Sequence, residues 1–307
     1  MSDRNRIGVV GARGHTGSEL LTILDRHPEV EVVHAGSREL AGQAVPEIEG
    51  LFFENLAPAD LADLSLDAMF LALPDGVSEQ FVNAISAEAA IVDISSDHRF
   101  DDNWVYGLPE LFRDKIAGAR RIANPGCYAT VMQLAIAPFL DDLDGVPAVF
   151  GVSGYSGAGT TPSPRNDPER LRDNLIPYKL VGHNHEREAT RYLERPIRFM
   201  PHVHPAFRGL LITAHIPVGA ATNATDATDK LRERYAAEPL VEVQTEAPEL
   251  RDGSELTGAV LGGVELSEDG LNIVVVGAED NLLKGAAVQA VQNLNLALGH
   301  PELTGVL

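Results

Sequence analysis

What this chain lacks narrows it first. Its 307 residues include a single cysteine, so no internal disulfide can form. A reducing compartment suits such a chain, and the cytoplasm is the expected location. Residues 1–6 are few and polar, and residue 7 already opens a strand. Neither a secretory signal nor an apolar run long enough to span a membrane is expected. Lysine is scarce: Lys115, Lys179, Lys230 and Lys284 are four of 24 basic residues, against 45 acidic ones. The formal net charge of −21 opposes nucleic acid and anionic lipid, so neither is expected as a partner. It leaves room for an anionic ligand, because a binding site is built from local donors. Such an acidic composition fits either a saline environment or a GC-rich coding sequence. Aromatic residues make up only 6%, so aliphatic side chains must fill the core; the hydrophobic share of 44% is enough for one. No metal site is expected.

The chain shows no repeat, low-complexity stretch or obvious linker. Its first half alternates short apolar runs with helical patterns. Residues 7–10, 30–35, 68–73 and 90–94 read as strands, and 17–26 and 77–87 as helices. Strands alternating with helices imply a parallel sheet covered on both faces. After about residue 148 the pattern changes. Residues 149–152, 210–218, 241–245, 259–265 and 271–278 read as strands of a mixed, mostly antiparallel sheet, and 284–298 as an apolar helix. The fold class expected is α/β, a Rossmann-type dinucleotide-binding domain followed by an α+β domain, the two sharing one cleft.

The first strand runs into Gly11-Ala12-Arg13-Gly14-His15-Thr16-Gly17 and then a helix. Glycines there allow a tight turn and close backbone approach to a pyrophosphate, which the helix N-terminus meets with free N–H groups and the positive end of its dipole. The spacing is GxxGxxG, and its place between first strand and first helix gives it weight. At the end of the second strand, where an NAD site carries an acid for the ribose, stand Gly36-Ser37-Arg38. A hydroxyl and a guanidinium suit a 2′-phosphate, so NADP is the expected cofactor, although Glu39 follows directly.

Cys127 lies in Asn124-Pro125-Gly126-Cys127-Tyr128-Ala129-Thr130, just before the helical run 131–139. A cysteine at a helix N-terminus has its thiolate stabilised by the dipole, as a nucleophile needs.

This segment resembles the NPGCYPT motif of the N-acetyl-gamma-glutamyl-phosphate reductases, members of the aspartate-semialdehyde dehydrogenase-like superfamily. The resemblance continues, in the family's order, through Tyr106-Gly107-Leu108-Pro109-Glu110-Leu111 and Ser153-Gly154-Tyr155-Ser156-Gly157-Ala158-Gly159. It covers His183-Asn184-His185-Glu186, Pro201-His202 through Arg208-Gly209, and Asp280-Asn281-Leu282-Leu283-Lys284-Gly285. Departures are Ala129 for the motif's proline, HNHEREA where the family tends to HRHxPEI, and His204-Pro205-Ala206-Phe207 where it often has Val-Pro-Met.

The resemblance implies an NADPH-dependent reduction of an acyl phosphate to an aldehyde in arginine biosynthesis, through a thioester on Cys127. It implies an NADP-binding domain over 1–128, completed by helix 281–300, and a catalytic and dimerisation domain over 129–280. It places Leu73, Pro74, Ser156, Gly157 and Asn281 at the cofactor beside the glycine turn, Ser37 and Arg38. Asn124, Ser153, Arg165 and Arg208 fall on the substrate side. His183 and His185 are the acid–base candidates; in an extended segment they point to opposite sides, so one of the two would face Cys127. A homo-oligomer, dimer or tetramer, is expected. Alternatives are the same reaction on a glutamyl or aminoadipyl phosphate carried by a small protein, aspartate-semialdehyde dehydrogenase, and a non-catalytic NADP-binding sensor.

Overall fold

The computed structural model describes residues 4–307. It divides into two units. The first comprises the chain up to Pro125 together with Ala286–Leu307, and the second is the continuous stretch Gly126–Gly285.

Among the described residues the first unit holds strands β1 (Asn5–Val10), β2 (Val30–Gly36), β3 (Phe53–Glu54), β4 (Ala68–Leu71), β5 (Ala90–Asp93), β6 (Val105–Tyr106) and β7 (Arg121–Ala123). They pair in the order β3-β2-β1-β4-β5-β7-β6, every ladder parallel. β4 reads as an unbroken apolar run, and β5 does up to Asp93, because both are buried on both faces. From β1 the chain passes through helix α1 (His15–Asp25) to β2 on one side, then returns to β4 on the other. The carboxyl ends of β1 and β4 therefore form the switch point at which doubly wound sheets bind ligands. β4 stops at Leu71, two residues short of the expected strand: Ala72 N–H still bonds Val10 O at 2.9 Å, and the pairing with β1 ends there. Leu73 and Pro74 thus lie in the loop that follows. The helix expected over 77–87 is one short turn, α2 (Ser78–Val82). Beyond it the backbone tightens, with Ala84 N–H on Phe81 O at 3.0 Å. Helix α3 (Pro109–Ile116), eight residues with a kink at Phe112, was not among the expected helices.

The second unit carries helices α4 (Cys127–Ile136), α5 (Pro168–Leu171), α6 (Asn184–Tyr192), α7 (Ala224–Tyr235) and α8 (Leu250–Gly253). Its strands are β8 (Ala148–Gly154), β9 (Ile176–Pro177), β10 (Arg198–His204), β11 (Leu210–Pro217), β12 (Val241–Val243), β13 (Ala259–Leu266) and β14 (Asn272–Glu279). The order is β12-β13-β14-β11-β8-β10-β9, with β8/β10 and β12/β13 parallel and the other pairs antiparallel. One face is buried: Phe199, Val149, Ala214 and Val275 form a row across four strands, each at most 1% exposed. Helix α4 packs on β11 and β14, which is why Cys127 travels with this unit. The neighbouring row, Met200, Phe150, Thr213 and Val276, is only partly covered, and Phe150 is exposed.

The chain re-enters the first unit as helix α9 (Val288–Leu298), preceded by a single π turn, Leu283–Ala287. The expected helix over 284–298 starts late because Asp280 grips the turn. Its Oδ1 accepts Leu282 N–H at 2.8 Å, and its carbonyl accepts Gly285 N–H at 2.9 Å, a span of five residues. Asn293 on α9 donates to Gly107 O and to Asn124 Oδ1, both at 2.9 Å. Among the described residues no helix is long and apolar enough to cross a membrane.

Candidate active site

In the first unit the glycine turn is built for close backbone approach. Gly11 has φ +83°, and a Cβ there would stand 2.1 Å from Ala72 O; a Cβ on Gly17 would stand 2.4 Å from Gly11 O. Only glycine lets the turn close so tightly against β4. Gly14 caps α1 without offering a side-chain acceptor, and the first turn, with His15, Thr16 and Gly17, contains no acid. An anionic group fits such a helix end. At the carboxyl end of β2, Ser37 is buried and its Oγ accepts Leu40 N–H at 3.3 Å. Arg38 and Glu39 are exposed. Arg13 reaches across from the glycine turn to Glu39, Nη2 to Oε1, at 2.7 Å.

Asn124 is fully buried. Its Oδ1 accepts from Asn293 and its Nδ2 donates to Ala286 O at 3.3 Å, so its carboxamide holds the turn ahead of Cys127.

In the second unit Cys127 is the first residue of α4, half-buried, with Gly126 as the cap and no acid in the first turn. The fully buried Glu188 sits behind the cap and accepts Gly126 N–H through Oε2 at 3.0 Å. Gly285 faces the cysteine: a Cβ there would lie 2.6 Å from Cys127 Cβ.

The histidines are not in an extended segment. His183 caps α6, its Nδ1 accepting His185 N–H at 3.1 Å, and His185 is already helical. The expectation of opposite sides fails for that reason. The rings meet edge to face with centroids 4.7 Å apart. They nonetheless differ in character. Burial first, then the His185 charge, push His183 down to about 3, so it is neutral, with its proton on Nε2. His185 Nε2 lies 3.9 Å from Glu188 Oε1.

Around them, Tyr178 meets His183 at 5.5 Å, and the Arg165 guanidinium sits 5.0 Å over the Tyr178 ring. Burial and then the neighbouring Cys127 push the Tyr178 phenol up, while Arg165 pulls the other way. Ser156 and Asn281 are joined to each other, Asn281 Nδ2 donating to Ser156 Oγ at 2.8 Å, and Asn281 Oδ1 accepts Gly209 N–H at 3.0 Å. Ser153 is buried beside them, its Oγ donating to Gly154 O at 3.2 Å, and Gly157 is exposed. Arg208 pairs with the fully buried Asp280 at 3.5 Å.

Two family models match the chain: the semialdehyde dehydrogenase NAD binding domain over residues 6–119 and the semialdehyde dehydrogenase dimerisation domain over 127–281. The N-acetyl-gamma-glutamyl-phosphate reductase of Xanthomonas euvesicatoria pv. vesicatoria is 49% identical, with 99% of each chain covered. That of Stenotrophomonas maltophilia is 50% identical, covering 98% of this chain and 97% of its own. The chain belongs to the semialdehyde dehydrogenase family. Its fold recurs in aspartate semialdehyde dehydrogenase II of Vibrio cholerae (TM-score 0.79, 19% identity, 97% and 99% covered). It recurs again in the Candida albicans aspartate semialdehyde dehydrogenase solved with NADP (TM-score 0.76, 17% identity, 96% and 99% covered).

Within this family member, the residue that sequence reading passed over is Glu188. Its signal was present: it stands three residues after His185, the spacing that puts two side chains on one helical face. The helix itself was hidden, since NHEREATRY is polar almost throughout. Tyr178 was missed because nothing nearby in sequence ties it to Cys127.

Proposed function

We propose that this chain is an N-acetyl-gamma-glutamyl-phosphate reductase, taking that acyl phosphate and NADPH to N-acetylglutamate semialdehyde, phosphate and NADP in arginine biosynthesis. One arrangement carries the reading: Cys127 at the N-terminus of α4, tied through Gly126 and Glu188 to His185, in a chain about half identical end to end to such reductases.

The first unit is the NADP-binding domain and the second the catalytic and dimerisation domain. Gly11, Arg13, Gly14, His15, Thr16 and Gly17 would hold the pyrophosphate side, and Ser37 and Arg38 the 2′-phosphate, with Leu73 and Pro74 in the neighbouring loop of the same unit; in the second unit the resemblance assigns Ser156, Gly157 and Asn281 to the cofactor. The bound cofactor supplies a hydride. The chain's own groups do the rest. His185 takes the Cys127 proton, and the helix end stabilises the thiolate. Sulfur attacks the acyl carbon, the C–O bond to phosphate breaks, and a thioester remains on Cys127. After hydride addition the carbon–sulfur bond breaks, the aldehyde leaves, and His185 returns a proton to sulfur. Glu188 favours the protonated imidazole in that cycle, and it orients the ring. His183, held neutral, caps α6 and fixes where His185 stands; a base with so low a pKa accepts no proton near neutrality. Arg165, its guanidinium over the Tyr178 ring, suits the substrate's phosphate or carboxylate, and Ser153 offers a further hydroxyl. Arg208 would have to share itself with Asp280.

The partly covered apolar row through Phe150 supports a homo-oligomer, formed by this sheet face against a second copy. A free catalytic thiol suits the cytoplasm.

The test is the reverse reaction with phosphate, NADP and a panel of semialdehydes. N-acetylglutamate semialdehyde should be turned over in preference to aspartate semialdehyde, which carries a free amine. Preference for the latter would overturn the substrate.

A further inference from the structure

Beside the glycine turn a salt bridge joins the two loops that follow β1 and β2, and Arg38 adjoins its acidic partner in sequence. Arg13 belongs to the loop after β1; Arg38 and Glu39 follow β2. The acid that marks an NAD site at the end of the second strand is therefore present after all, one residue late. It does not face the ribose position unaccompanied. Its carboxylate is bonded to the Arg13 guanidinium at 2.7 Å, although the Glu39 side chain is 69% exposed and Arg13 36%. Two cations and one anion leave a single net positive charge. A 2′-phosphate carries close to two negative charges, and both guanidinium groups would be needed to match it.

We infer that Glu39 is a specificity-determining residue that acts against NADPH by occupying Arg13. It rests on the reading of this unit as an NADP-binding domain. On binding, the 2′-phosphate must draw Arg13 from Glu39. NADH has no phosphate to do so and leaves the pair intact. The chain thus holds back part of its own preference for NADPH. The size is set by the pair: exposed ion pairs of this kind are worth a few tenths to about 1 kcal/mol, which is roughly a 1.5- to 5-fold change in affinity. Salt should shrink the effect, because both partners face solvent.

The experiment needs neither substrate nor turnover. Titrate adenosine 2′,5′-bisphosphate and AMP calorimetrically into the wild-type protein, Glu39→Gln, Arg13→Ala and the double variant. Glu39→Gln should tighten the bisphosphate by about 1.5- to 5-fold without tightening AMP. Arg13→Ala should weaken the bisphosphate, and adding Glu39→Gln to it should then change little. An unchanged or weaker bisphosphate in Glu39→Gln would overturn the inference. So would an equal gain with and without Arg13, since Glu39 would then act on the phosphate directly. A wild-type protein that binds neither nucleotide would remove the cofactor reading and this inference with it. A wrong acyl substrate would leave every one of these numbers standing.

Discussion

The two functional regions are made from different materials. The glycine turn of the first unit is backbone: seven consecutive residues, no catalytic side chain, and a shape dictated by where a Cβ cannot go. The cysteine site of the second unit is side chain: Cys127, Arg165, Tyr178, His183, His185 and Glu188 arrive from several elements across some sixty residues. A backbone site is written contiguously and survives most substitutions outside its glycines. A side-chain site is dispersed, and each member can be removed singly.

Cys127→Ser should abolish turnover while NADPH still binds, because the first unit holds the cofactor without it. Activity above a few per cent of wild type would sink the covalent route. Next comes His185→Ala, expected to lower kcat on the order of 10²-fold or more, the usual worth of a positioned acid–base group. If kcat stays normal, the proton acceptor is elsewhere.

Arg38→Ala probes the backbone site at its charged rim. It should raise the KM for NADPH about ten- to a hundredfold, the loss of about 1.5–3 kcal/mol from a hydrogen bond to a charged group, and leave NADH nearly alone. Equal losses for both cofactors would make Arg38 structural.

The smallest effects are on stability. His183→Ala removes a helix cap worth about 0.5–2 kcal/mol, with a smaller loss of kcat than His185→Ala. In the first unit His27 is likewise biased toward its neutral form. Burial lowers its pKa, its Nδ1 accepts Glu29 N–H at 3.2 Å, and its Nε2 faces Asn295 Oδ1 at 2.9 Å. A depressed histidine lends its stability above the ordinary value of 6.5 and loses it as pH falls below, because the unfolded chain takes the proton first. The urea midpoint followed by Trp104 fluorescence should therefore drop below that pH, and His27→Gln should flatten the slope. An unchanged slope in His27→Gln would assign the acid sensitivity to another group.

Legibility follows the same division. The turn from Gly11 to Gly17 could be read because its constraint is local. So could Cys127, since Asn-Pro-Gly stops a strand just where a helix begins. The alternation of strands gave the parallel sheet, and the later strand runs gave the mixed one. β10 escaped because Pro201 and two histidines interrupt it; it is tolerated there between β8 and the two-residue β9, with Pro201 O accepting Tyr178 N–H. α6 escaped because a helix of polar residues has no apolar stripe to read. The cost was specific: without that helix, the roles of His183 and His185 could not be separated, and Glu188 was invisible.

The first unit is interrupted: 160 residues, Gly126–Gly285, are threaded through it before α9 returns to supply Asn293. The sheet of the first unit is therefore written long before the helix that packs on α1, α3 and β5. Closing that unit is a long-range event: its first and last pieces are neighbours in space and strangers in sequence, so the loop between them must be closed before their contacts can form. The second unit, one continuous stretch, carries no such debt.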